Sequence, residues 1–347
     1  MEIRIIFELV SKKIVVNHFL FKTMFHFLKL KKFLFIIIIL SMFLFIFWII
    51  KRLVTAKNQE CQLNYHNHKI YNHIVQYPFK VKSCYIHTDL IILVHSSLDH
   101  FNHRQTIRKF LQTNKNWSIV FILGQPSINN KTLENKINYE SNLNGDILRM
   151  EFVDSNRNLT LKHLSGLWWL IKHCHHDNIL NDETIWILKM DDDIFIDEIL
   201  LKKFLKHLSQ LNESENQIYC YRMDNTSPLR DQKSKWYVSN TEYSYNLYPS
   251  YCSGWAYLTT IDTIKKLLCP LNHMDLFWID DVFVTGILRQ HTNINLVAIN
   301  HLFNLNIQIL YRWLEYHGQT KWFYLFSQTN NDWYAMQKAY RQRKFLL

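Results

Sequence analysis

Trp186-Ile187-Leu188-Lys189-Met190-Asp191-Asp192-Asp193-Ile194-Phe195 decides how this chain is read, because three consecutive carboxylates close an apolar run that has the character of a buried strand. Asp191, Asp192 and Asp193 in one crevice of low dielectric would raise one another's pKa values unless a divalent cation neutralised them. Oxygen ligands favour hard ions such as magnesium or manganese, which are commonly held by one or two carboxylates together with substrate phosphates. The carboxyl end of a strand is also where open α/β sheets bind ligands. The competing expectation is a solvated acidic turn at the start of a helix near Asp197.

Working outward, the segments 89–95, 117–123 and 147–152 read as further strands, with a helix through Arg104 and Arg108 and another over 158–173. Strands alternating with helices predict a largely parallel α/β sheet covered on both faces. Residues 33–50 carry no charge and lie between Lys29, Lys31 and Lys32 on one side and Lys51 and Arg52 on the other, which predicts one transmembrane signal anchor. The expected layout is a cytoplasmic tail over 1–32, the anchor over 33–50, a polar stem over 51–84 and a catalytic domain over 85–347. The formal charge is +11, of which residues 1–52, with nine Lys/Arg and two Asp/Glu, hold +7. Basicity therefore belongs largely to the membrane-proximal tail, and nucleic acid is not an expected partner. All six cysteines lie after residue 60, as do sequons at Asn116, Asn130, Asn158, Asn212 and Asn225, in keeping with an oxidising, glycosylating lumen. The cysteine pairing stays open, and no Cys/His spacing indicates zinc.

Several separated segments resemble the β-1,3-galactosyltransferase family, glycosyltransferase family 31. They are Arg104-Gln105-Thr106-Ile107-Arg108; Gly145-Asp146-Ile147-Leu148 with Phe152-Val153-Asp154 and Asn158-Leu159-Thr160-Leu161-Lys162; the aspartate segment; Tyr248-Pro249-Ser250-Tyr251-Cys252-Ser253-Gly254; and Asp280-Asp281-Val282-Phe283. The resemblance implies a GT-A-type, Rossmann-like mixed sheet, largely parallel, behind one transmembrane helix. It also implies a single-pass type II protein of the Golgi or endoplasmic reticulum membrane with its catalytic domain in the lumen. The implied reaction is inverting transfer of galactose or an N-acetylhexosamine from a UDP-sugar, with manganese or magnesium, to a glycan acceptor on a glycoprotein or glycolipid, in β-1,3 linkage.

By the same resemblance, Asp193 is the metal ligand and Asp191 a second ligand and nucleotide contact, with Asp192 supporting either role. Arg104, Arg108, Asp154 and Lys162 fall on the donor side. Asp281 is the general base; the alternative is that the Asp280-Asp281 pair only caps a helix over 282–289. Asp280, Tyr251, Gly254 and Trp255 are expected on the acceptor side. The chain departs from the family at Phe110-Leu111, at Ala256, where a methyl group is expected to narrow the acceptor pocket, and at Phe326-Ser327, where a histidine ligand is usual. His301 and His317 are the candidate replacements. These departures keep a second expectation open, that of a catalytically silent glycan-binding or chaperone relative of the same fold.

Overall fold

The computed structural model describes residues 39–52, 88–111, 114–127, 130–174, 184–211, 215–316 and 324–345. The chain separates into two units, Met1–Leu63 and Asn64–Leu347. In the first, residues 39–52 are helical with exposed side chains, while 33–38 of the expected anchor lie outside the described residues. Among the described residues no helix is long and apolar enough to cross a membrane.

In the second unit, β1 (Leu90–His95), β2 (Trp117–Gln125), β3 (Ile147–Val153) and β4 (Trp186–Asp191) are joined in parallel. With β6 (Gln217–Met223), β7 (Tyr251–Thr260) and β8 (Asn295–Ala298) they complete a seven-stranded sheet in the order β3-β2-β1-β4-β7-β6-β8, with β7 antiparallel to both its neighbours. All six residues of β1 are buried, as a strand covered on both faces requires. Leu90, Ile92 and Val94 enter one hydrophobic cluster, and Ile91 and Leu93 enter the other. The period-2 alternation of side chains thus divides the core between the two faces of one strand.

On the first face lie α1 (Phe101–Leu111) and the carboxyl-terminal helices α6 (Ile307–Glu315) and α7 (Trp333–Phe345); on the second lie α3 (Leu159–Cys174) and α5 (Ile261–Leu268). Phe110, the first departure from the family pattern, stacks on Tyr340 of α7 with ring centroids 5.3 Å apart. Ala256 is fully buried opposite Met190 in the β4–β7 register, so its methyl group fills core and does not narrow a sugar pocket. This corrects the sequence expectation for that residue. The remaining helices are α2 (Lys131–Asn144) and α4 (Glu198–Leu211), and a small sheet joins β5 (Ile194–Ile196), β10 (Phe326–Gln328) and β9 (Phe303–Asn304).

A disulfide links Cys220 of β6 to Cys252 of β7, and Cys174 and Cys269 are also disulfide-bonded. Cys61 and Cys84 lie outside the described residues.

The aspartate triplet does not cap a helix. Asp197 takes that role for α4, its Oδ1 accepting from the backbone N–H groups of Ile199 and Leu200 at 3.0 Å each. β5 intervenes between it and Asp193, so the three acids stand at the end of β4 on the rim of the sheet.

Candidate active site

Register fixes the floor of the site. Asp191 pairs with His95, so the ends of β4 and β1 are level, and the loop Ser96–His100 leads from there into α1. A cleft of about 810 Å³ opens at this edge, lined by His95 to His100, Asp154, Lys162, the three aspartates and Trp236, among others.

The three aspartates have different environments. Asp192 is buried and spoken for: it accepts from Ser96 Oγ at 2.6 Å, from the Ser97 N–H at 3.3 Å, and pairs with His100 Nδ1 at 2.9 Å. Burial opposes its ionisation, but the bond and charge of His100, the bond from Ser96 and the charge of His103 together outweigh this and hold the carboxyl below its ordinary range. It therefore shapes the loop and leaves its neighbours to face ligand. Burial pushes Asp191 up to about 7, against the pull of Lys189 and aided by the charge of Asp193. Asp193 is pushed up to about 6 by burial and then by the charge of Asp192. Two carboxylates whose ionisation is disfavoured in one cleft suit a hard divalent cation that draws its remaining ligands from a diphosphate. Among the described residues no three His, Cys, Asp or Glu side chains are gathered as a protein-only metal cage. His301 is exposed, and His317 lies outside the described residues.

The two arginines are bonded to protein acceptors. Arg104, fully buried, donates to Glu140 at 2.8 Å, to Ser96 Oγ at 2.9 Å and to the carbonyls of Ser97 and Leu98 at 2.6 and 3.2 Å. Arg108 makes a two-pronged bond to Asp146 at 2.6 and 2.8 Å and reaches Glu140 at 2.6 Å. These guanidinium groups are spent on protein acceptors, and Arg104 holds the Ser96–Leu98 loop from behind. Lys162 is likewise buried, bonded to the Ser96 carbonyl at 2.7 Å and to both oxygens of Asp154 at 2.9 and 2.8 Å. Asp154 also accepts from the Gly124 N–H at 3.0 Å, near the end of β2.

Across β4 stands the Asp280-Asp281 pair. Asp281 caps a π-helical turn over Val282–Leu288, its Oδ1 accepting from the Val282 N–H at 2.8 Å; Oδ2 accepts from the Gly254 N–H at 3.2 Å. Turns of this kind occur often at functional sites. Burial, followed by the charge of Asp280, pushes Asp281 up to about 7. Asp280 points the other way. Only 7% exposed, it pairs with His163 Nδ1 at 2.9 Å, whose Nε2 meets the Tyr257 hydroxyl at 2.7 Å. Burial works to raise it, but His163 and Lys189 hold it below the ordinary range. An acceptor contact for Asp280 is thereby corrected: its carboxylate is committed to an interior histidine.

Lys189 ties the two acidic groups together. A lone lysine within the apolar run of β4, it is 1% exposed and donates to Asp191 Oδ1 at 2.9 Å and to the Gly254 carbonyl at 2.6 Å. Gly254 in turn presents its N–H to Asp281, so one buried ammonium links both carboxylate stations. Replacing Lys189 by methionine removes the counter-charge for Asp191, Asp280 and Asp281. The acid limb of the pH–rate profile is expected to move to higher pH, because carboxylates without that neighbour ionise less readily; an unmoved limb would mean that Lys189 only fills space.

The expected acceptor aromatics divide. Tyr251 is 9% exposed and packs in the interior against Tyr248, so a stacking role for it is corrected to core packing. Trp255 is half-buried, edge-on to Tyr221 at 5.2 Å. Two tryptophans that sequence reasoning did not single out stand at the rim instead. Trp236, which lines the cleft, stacks on Trp278 with centroids 5.8 Å apart and planes 8° from parallel, and Arg157 covers Trp278 at 4.2 Å. Trp278 lies two residues before Asp280, which was the available signal; in a chain with 15% aromatic residues it does not stand out.

Aspartates at the end of a central strand, joined through one lysine and a Ser-Gly step to a second acidic pair, match the order of the segments quoted above. A family model described as galactosyltransferase matches residues 102–300, which contain all of these groups. The chain belongs to the galactosyltransferase family. Beta-1,3-galactosyltransferase 1 of Homo sapiens, and that of Mus musculus, is 30% identical over 207 residues, 58% of this chain and 60% of the relative. Beta-1,3-galactosyltransferase 5 of Homo sapiens is 30% identical over 221 residues, 61% of this chain and 66% of the relative. The chain thus spans about 60% of the length of the first of these relatives. Among solved structures, the galactosyltransferase LgtC in complex with donor and acceptor sugar analogs is similar over 74% of this chain and 95% of its own, at 11% identity and a TM-score of 0.34. Mouse xyloside xylosyltransferase 1 is similar over 70% and 97%, at 9% identity and a TM-score of 0.31. This galactosyltransferase-family chain therefore carries its Asp191–Asp193 and Asp280-Asp281 groups inside the matched region.

Proposed function

We propose that the chain is an inverting glycosyltransferase that moves galactose or an N-acetylhexosamine from a UDP-sugar to a hydroxyl of a glycan acceptor, forming a β-1,3 linkage. The observation that carries the reading is the hydrogen-bonded path Asp191–Lys189–Gly254–Asp281, which joins a donor-side carboxylate to a carboxylate with a raised pKa one strand away. In this reading Asp193 and Asp191 would hold manganese or magnesium, which would supply charge neutralisation to the departing UDP. Asp281 takes the proton from the attacking hydroxyl, a role suited to a carboxyl whose pKa lies near neutrality. Trp236, which lines the cleft, is the aromatic side chain placed to meet the acceptor sugar.

Residues 33–50 serve in this proposal as the anchor of a type II protein in the Golgi or endoplasmic reticulum, with the glycoprotein or glycolipid acceptor in the lumen. The disulfides at Cys174, Cys220, Cys252 and Cys269 support an oxidising compartment. The silent-relative reading loses part of its motive, since Phe110 and Ala256 are accounted for by core packing. A screen of UDP-sugars against acceptor mixtures, scored by UDP release with manganese, is the test. Acceptor-dependent release from UDP-galactose or a UDP-N-acetylhexosamine is expected, and release from no donor would leave the binding-only reading standing.

A further inference from the structure

From the second face of the sheet, α3 reaches the Asp280-Asp281 pair through the interior. Thr160 Oγ1 donates to the Phe277 carbonyl at 2.6 Å, and His163, one turn further along the helix, pairs with Asp280 Oδ2 at 2.9 Å. Both bonds are buried, and they bracket the segment 277–280 that leads into the π-helical turn. His163 is 2% exposed. Its Nε2 meets the Tyr257 hydroxyl of β7 at 2.7 Å, and its ring stacks on that of Tyr257 with centroids 5.6 Å apart. Tyr257, His163 and Asp280 thus form a buried chain of two hydrogen bonds. None of the three lines the cleft, so what they contribute to it passes through the turn they hold.

The proton positions follow from the partners. A carboxylate only accepts, so His163 Nδ1 donates to Asp280. Burial lowers the His163 pKa in spite of that neighbour, so the imidazole is neutral and its Nε2 accepts from the Tyr257 hydroxyl. Both ring nitrogens are therefore satisfied, which leaves the ring one orientation. Asp280 also accepts from the backbone N–H of Asp281, so the carboxylate that His163 holds is tied to the peptide ahead of Asp281. Successive side chains on a helical turn diverge by about 100°. With Asp280 fixed on His163, Asp281 is turned toward β7, where its Oδ2 accepts from the Gly254 N–H.

We propose that His163 is a positioning residue for the transfer step: held between Tyr257 and Asp280, it fixes the rotation of the turn that carries Asp281 and so aims the base. The proposal rests on the assignment of Asp281 as base, and the test separates the two. UDP release from UDP-galactose and from UDP-N-acetylglucosamine is measured with manganese and a mixture of methyl β-glycosides of galactose, N-acetylglucosamine and N-acetylgalactosamine as acceptors. His163→Ala, His163→Asn and Tyr257→Phe are each made in the wild-type chain and in Asp281→Asn, and UDP affinity is followed by calorimetry. His163→Ala should lower acceptor-dependent turnover about 10- to 100-fold, the scale on which a small misplacement of a reacting group acts, with UDP affinity held within about twofold. His163→Asn, whose amide can still donate to Asp280, should recover part of the loss, and Tyr257→Phe should lose less than His163→Ala. In Asp281→Asn none of the three should lower turnover further, because a residue that acts only by aiming a base has nothing left to aim. The same fold-loss in both backgrounds, or a fall in UDP affinity that matches the fall in turnover, would show a structural role and overturn the proposal. If His163→Ala does not fold, His163→Asn and Tyr257→Phe decide: no loss in either, or a loss undiminished in Asp281→Asn, counts against it. Full transfer by Asp281→Asn alone would remove the base assignment and this proposal with it. An impaired Asp281→Asn beside a fully active His163→Ala would remove the positioning role and leave the base in place. A wild type that releases UDP from neither donor overturns the transferase reading and both assignments.

Discussion

Replacing Asp281 by asparagine is expected to reduce sugar transfer by about 10² to 10⁴-fold while leaving UDP affinity unchanged. Asparagine keeps the side-chain shape and still offers an oxygen to the Val282 N–H, so the cap on the π-helical turn survives. What is lost is a group able to take a proton. The pH dependence carries a second signature. Burial and the charge of Asp280 put the Asp281 pKa at about 7, so below that pH the carboxyl is protonated and cannot accept. Wild-type activity should rise as pH increases through about 7, and the asparagine variant should lack that limb. Loss of UDP binding, or of soluble protein, would show that the residue acts as a cap only.

The largest expected effect on stability lies behind the cleft. Glu140 is the carboxylate partner of Arg104 and also bonds Arg108, and all three side chains are nearly withdrawn from solvent. Removing one member of a buried ion pair leaves an uncompensated charge, at a cost of about 3–5 kcal/mol. That is a large part of the roughly 5–15 kcal/mol by which domains are stable. Glu140→Ala is therefore expected to lower the denaturant midpoint steeply, and Glu140→Gln, which keeps the hydrogen-bonding oxygen, by less. Because Arg104 also holds Ser96 Oγ and the Ser97 and Leu98 carbonyls, the folded fraction of Glu140→Ala should bind UDP more weakly. An unfolding free energy lowered by less than about 1 kcal/mol would mean that water replaces the missing carboxylate, since solvated pairs contribute on that scale.

The scaffold was legible in the sequence because its signals are local. Leu90–His95, Trp117–Gln125 and Trp186–Asp191 are apolar runs of strand length, and each is a buried strand of the sheet. The helix around 158–173 is α3, preceded by a short turn over Asn156–Asn158. The position of the aspartates at a strand end followed from the run before them. Side-chain direction was not legible, because it depends on partners far away in sequence. Arg104 and Arg108 share a helical face, but which acids meet that face is decided by α2, which brings Glu140, and by the loop ahead of β3, which brings Asp146. Adjacent residues also diverge: Asp280 turns inward to His163 while Asp281 turns to Gly254, and no composition rule separates them. Lys189 was visible as a lone charge in an apolar strand, a signal that buried lysines give before their partners are known. Trp236 and Trp278 gave none beyond their aromatic character.

The central claim is that Asp193 and Asp191 grip a nucleotide diphosphate through a divalent cation. Titration of UDP into the wild-type chain and into Asp193→Ala, each with manganese and again with chelator, tests it most directly. The account predicts that wild-type binding requires manganese and that Asp193→Ala, folded, binds no UDP under either condition. Equal UDP affinity in the variant, or wild-type affinity untouched by chelator, would contradict it.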